Sequence, residues 1–71
     1  MLYNFKNKNP KLGEKTFIAH GSRIIGNVEI ADHSSIWYNT VIRGDMAKIK
    51  IGEYTNIQDN STVHGKQNKG V

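Results

Sequence analysis

The chain has 71 residues and a mass of 8.0 kDa, enough for one small domain. It contains no cysteine, which excludes a disulfide framework and any cysteine-based zinc finger and leaves His20, His33 and His64 as the nitrogen ligands available to a metal. The net charge of +4 sits at the ends: residues 1–16 carry four lysines and one glutamate, residues 17–65 four basic and five acidic groups, and residues 66–71 two lysines.

A nucleic-acid groove needs basic residues clustered among stacking aromatics, and the patterned middle lacks both, so no nucleic-acid partner is expected. Apolar runs reach only three residues, as in Phe17-Ile18-Ala19, so no membrane partner is expected either. The first residues, Met1 to Lys6, show no secretory apolar stretch, and a cytoplasmic location is the expectation.

Residues 1–16 fit no repeat and read as an irregular N-terminal segment, with Asn9-Pro10-Lys11-Leu12-Gly13 a turn into the first ordered unit. From residue 17 a period takes over. Ile18, Ile24, Ile30, Ile36 and Ile42 are spaced by six; the phase slips by three, and Ile51, Ile57 and Val63 resume the spacing. Four residues beyond most of these aliphatics stands a small or β-branched residue: Ser22, Val28, Ser34, Thr40, Thr55 and Ser61, with Met46 the exception.

A helix needs apolar residues at 3.6 spacing, so a period of six falls on nearly opposite sides. Extended backbone accommodates six, and the Gly, Asn, Asp and His of each unit break it into short strands. One strand and one turn per unit, three units to a coil of about 18 residues, would place every aliphatic inside a triangular parallel β-helix. A strand meander is the rival, but nothing in a meander demands six. The slip reads as one corner enlarged over residues 43–50. Residues 17–65 then make about two and a half coils, and residues 66–71 a flexible basic end.

The run Ile36-Trp37-Tyr38-Asn39-Thr40-Val41-Ile42-Arg43-Gly44-Asp45, followed by Ile51-Gly52-Glu53-Tyr54-Thr55-Asn56-Ile57-Gln58-Asp59 and then Val63-His64, resembles the γ-class carbonic anhydrase-like family. The resemblance implies an all-β, left-handed parallel β-helix of hexapeptide repeats that assembles as a homotrimer. It also implies zinc-dependent reversible hydration of CO2, with CO2 and bicarbonate as substrates and zinc held between subunits by three histidines. His64 matches the first of these ligands. The other two lie in a downstream Gly-His-x4-His segment that this sequence does not contain, so the chain corresponds to the N-terminal part of a longer domain and reads as truncated. Arg43 and Asp45 match a family pair linked with subunit contact and anion binding. Gln58 matches the residue that orients hydroxide at zinc, and Asp59 the acid that follows it.

The residues themselves are compatible with that grouping. Arg43, Gln58 and His64 each follow an inward aliphatic and should point outward, gathered on one corner. If the enlarged corner adds no face, Ile42 and Val63 share one, and Arg43 and His64 stack about 4.8 Å apart. Arg43 and Asp45, two apart in extended backbone, project to one side and can pair.

Plainer roles stand beside these: a structural ion pair for Arg43 and Asp45, an exposed turn residue for Gln58, solvent-facing turn positions for His20 and His33. Trp37 is expected at a subunit interface or under the N-terminal segment. Without a secretion signal, Arg-Gly-Asp is no adhesion motif. For the whole chain the alternatives are a non-catalytic hexapeptide-repeat module and an inactive fragment of a split gene. Hexapeptide acyltransferases share the architecture, although Arg-Gly-Asp with Asn-Ile-Gln-Asp points away from them.

Overall fold

The computed structural model describes residues 1–64; the basic end at 66–71 lies outside the described residues. Eight strands follow in chain order: β1 (Leu2–Tyr3), β2 (Lys11–Leu12), β3 (Phe17–Ile18), β4 (Arg23–Ile30), β5 (Ser35–Ile36), β6 (Val41–Ile51), β7 (Asn56–Ile57) and β8 (Thr62–His64). Every pairing between them is parallel. Parallel neighbours need a crossover, and here the crossover is the rest of the coil.

Register shows how the period of six closes into a parallel β-helix. Leu12, Ile30 and Ile51 stack in one column, Ile18, Ile36 and Ile57 in a second, and Ile24, Ile42 and Val63 in a third. These rungs make three coils, slightly more than the ladder beginning at Ile18. Leu12 is in phase with that ladder, but Pro10 and Gly13 beside it give the segment the look of a turn. Its pairing with Ile30 shows that the phase, and not these turn signals, describes its place. Ile24, Ile30, Ile36 and Ile42 are buried, as are Val28 and Ile49. Ile18, Ile57 and Val63 pack against this core from the ends and are partly buried.

Two corners recur from coil to coil in left-handed backbone: Lys15, His33 and Tyr54 (φ 55°, 62° and 56°) at one, Gly21, Asn39 and Asn60 (φ 81°, 57° and 59°) at the other. Buried hydroxyls secure these corners. Ser34 Oγ donates to the Gly52 carbonyl at 2.6 Å and accepts from the Thr55 amide at 3.1 Å, Thr40 Oγ1 donates to the Gln58 carbonyl at 2.8 Å, and Ser22 Oγ donates to the Ala19 carbonyl at 2.6 Å. Ser22, Ser34 and Thr40, each four places after an inward aliphatic, are small because they are buried inside these turns, where their hydroxyls bond to backbone.

The third corner holds the slip. β4 turns it at Gly26 (φ 77°) and Asn27, and the register jumps from Gly26–Gly44 to Val28–Ile49, so Asn27 alone faces residues 45–48. Ile49, fully buried, therefore takes the place of Val28 in the next coil, while Met46 is 57% exposed. Met46 breaks the pattern because the extra residues enter before the fifth position of its unit. The widening is also narrower than 43–50, since Arg43 and Lys50 stay in the ladder opposite Ile25 and Glu29.

At the N-terminus, β1 adds to the free edge of β4 with Leu2 opposite Ile24, and a short antiparallel bridge joins Phe5 to Lys8. Among the described residues no helix is long and apolar enough to cross a membrane.

Candidate functional site: the Arg43–Asp45–His64 cluster

Arg43 and His64 follow the inward Ile42 and Val63 on adjacent strands and are partners in register, the stacking anticipated from spacing. Asp45 joins them. Its Oδ2 accepts from Arg43 Nη2 at 2.7 Å and from Nε at 3.2 Å, and its Oδ1 faces His64 Nε2 at 3.3 Å. The Asp45 side chain is only 19% exposed, against 43% for Arg43 and 35% for His64. Hydrogen bonding from the Arg43 guanidinium holds the Asp45 carboxyl below the usual aspartate value, against the opposing effect of its burial. Oδ1 is buried and makes no hydrogen bond among the described residues.

Chemically this is a carboxylate bridging a guanidinium and an imidazole, with the outer part of the guanidinium open to an anion.

Gln58 and Asp59 lie elsewhere. Gln58 is exposed at the end of β7, which belongs to the β3–β5–β7 sheet, whereas Arg43 and His64 belong to the sheet of β4, β6 and β8. Its backbone carbonyl receives Thr40 Oγ1; Asp59 is exposed in the turn that follows. The gathering of Arg43, Gln58 and His64 expected from alternation thus holds for Arg43 and His64 alone. An outward direction at two positions does not put them on the same face. The structure also supplies what alternation could not, the contact of Asp45 with both neighbours.

Zinc chemistry calls for three protein ligands and an open position. The unbonded Asp45 oxygen and the His64 imidazole are suitable donors. Nevertheless, no group of three His, Cys, Asp or Glu side chains gathers for a metal among the described residues. The described donors of one chain do not fit a complete zinc site.

The remaining histidines are exposed in turns; His33 stacks on Tyr54 with ring centroids 4.7 Å apart. Trp37 lies against Phe17 (centroids 5.0 Å apart) and Tyr38 (6.2 Å), with its indole N–H donating to Ser35 Oγ at 3.0 Å and Asn56 Oδ1 at 3.1 Å.

Stacked six-residue units with inward aliphatics on three faces define a hexapeptide-repeat protein. Residues 9–44 match the bacterial transferase hexapeptide family (six repeats), and the chain belongs to that family. It is similar to a carbonic anhydrase of Geobacillus kaustophilus, 48% identical over 68 residues covering 96% of this chain and 37% of that protein. It is also similar to the mitochondrial gamma carbonic anhydrase 2 of Arabidopsis thaliana, 46% identical over 63 residues covering 89% of this chain and 23% of that protein. A crystal structure from Bacillus cereus, described as a candidate acetyltransferase, superposes with a TM-score of 0.92 at 44% identity over 96% of this chain and 40% of its own. The chain spans well under half the length of each of these relatives.

Proposed function

We propose that the chain carries the N-terminal part of a γ-carbonic anhydrase-type centre for zinc-dependent reversible hydration of CO2, formed between subunits of a homotrimer. The reading is carried by the bridging of Arg43 and His64 by Asp45, in a chain 48% identical to a carbonic anhydrase. In this reading His64 supplies one metal ligand. The ligands it lacks come from outside these 71 residues. Arg43, ordered by Asp45, presents guanidinium N–H groups to bicarbonate, and a fixed cation favours the charge that develops as CO2 becomes an anion.

The test grafts residues 1–64 of this chain onto the remainder of the Geobacillus kaustophilus relative in place of its own equivalent segment. The expected product is a trimer by light scattering with one zinc per subunit and CO2 hydration by stopped-flow indicator assay. His64→Ala should lose the zinc, and Arg43→Ala should keep it while slowing hydration by about 10²-fold. A folded trimeric graft that takes up no zinc sinks the proposal.

The transferase description of the structural neighbour favours a second reading, acyl transfer on the same scaffold. Thioester cleavage by the graft, in the absence of CO2 hydration, would select it.

A further inference from the structure

The widened third corner and the cluster beside it belong together. One coil earlier the corner is turned by Gly26 and Asn27, and the position of Arg43 is held by Ile25. In the following coil Gly44 lies in register with Gly26, and the two backbones close on each other. A Cβ on Gly44 would stand 2.6 Å from the Asn27 carbonyl oxygen and 2.9 Å from its nitrogen, closer than side-chain carbons approach backbone. Glycine is needed here for the contact, because its own φ is not in the left-handed region. With Gly44 held against Asn27, residues 45–48 have one residue opposite them and bulge outward. Asp45 opens the bulge and reaches both Arg43 and His64; at its far side Lys48 is tied to Glu29 at 3.0 Å.

We infer that Gly44 and the bulge of residues 45–48 that follows it place Asp45 between Arg43 and His64, making Gly44 a positioning residue that acts through Asp45. The inference rests on the reading of Arg43, Asp45 and His64 as the functional group. Its test follows their contacts and requires neither zinc nor hydration. Deleting Met46-Ala47-Lys48 leaves Ile42-Arg43-Gly44-Asp45-Ile49-Lys50-Ile51, which matches Ile24-Ile25-Gly26-Asn27-Val28-Glu29-Ile30 place for place. The deletion restores an unbroken period of six and moves Asp45 to the place of Asn27.

The experiment is NMR on the full 71-residue chain, comparing wild type, the deletion, Gly44→Ala and Asp45→Asn. The reporters are the Arg43 Nε–H, which donates to Asp45 Oδ2, and the His64 ring signals. Wild type should show an Arg43 Nε–H protected from water. The deletion should keep the core amide pattern yet exchange this proton about tenfold faster, with His64 ring shifts resembling those of Asp45→Asn. Gly44→Ala should move the amides of residues 45–48 and weaken the same protection, and it decides the matter if the deletion does not fold. Unchanged Arg43 and His64 signals in a folded deletion or in Gly44→Ala overturn the inference. So does an unprotected Arg43 in wild type. If neither variant folds while Asp45→Asn does, the bulge serves the fold instead, and the inference also fails. Failure of the proposed function would look different: a graft without zinc or hydration, with these contacts intact.

Discussion

Ile36 and Ile42 are the middle rungs of two columns, completely buried between an aliphatic above and one below. Truncating either removes buried methylenes and leaves a cavity that paired strands on both sides hold open. Ile36→Ala should therefore destabilise the chain by about 2–5 kcal/mol, and by more than Ile57→Ala at the end of the same column, as read by urea denaturation. Asn39 has a different burden. Its φ of 57° suits asparagine and penalises a β-branched side chain, so Asn39→Val should cost roughly 1–2 kcal/mol although the position is exposed.

Asp45 adds a pH dependence. Since Arg43 holds its carboxyl below the usual value, the folded chain binds fewer protons at Asp45 than the unfolded chain does. That stabilisation is complete above the unfolded value of about 4 and is lost as pH falls through the lower folded value. Thermal melts of Asp45→Asn should accordingly show a shallower fall in Tm below about pH 4 than wild type.

The coils are joined by more than their strand ladders. Ser34 has both a donor and an acceptor role in the turn above it, contacting Gly52 and Thr55. Ser34→Ala leaves a carbonyl and an amide without their partner, and a loss of about 1–3 kcal/mol with faster exchange at the Thr55 amide is expected. The recurrence of small residues at this place was visible in the sequence, although their hydroxyl partners were not. β6 shows the opposite case. Its inward Ile49 and outward Met46 exchange the places that strict counting assigns them, because counting cannot tell on which side of Met46 the extra residues enter. Pairing with β4 decides it: Val28 demands an apolar partner, and Ile49 meets it.

As a whole, the molecule is a short stack in which each coil lends its edge to the next. Length and composition alone described a small domain without disulfides; the period of six turned that into a stack of coils with an aliphatic column on each face. The period was legible because an inward position repeated along a stack must always be filled by an aliphatic side chain, and sequence spacing records that demand directly. The shared register of Arg43 and His64 was legible for the same reason. Three things were not: the Leu12 rung, the separation of Gln58 from Arg43 and His64, and the reach of Asp45 to both of its neighbours. Each depends on how one coil lies on another. Leu12 depends on its pairing with Ile30, Gln58 on the sheet that its strand joins, and Asp45 on where the bulge falls and how closely Gly44 approaches Asn27, relations through space that alternation along one strand does not encode.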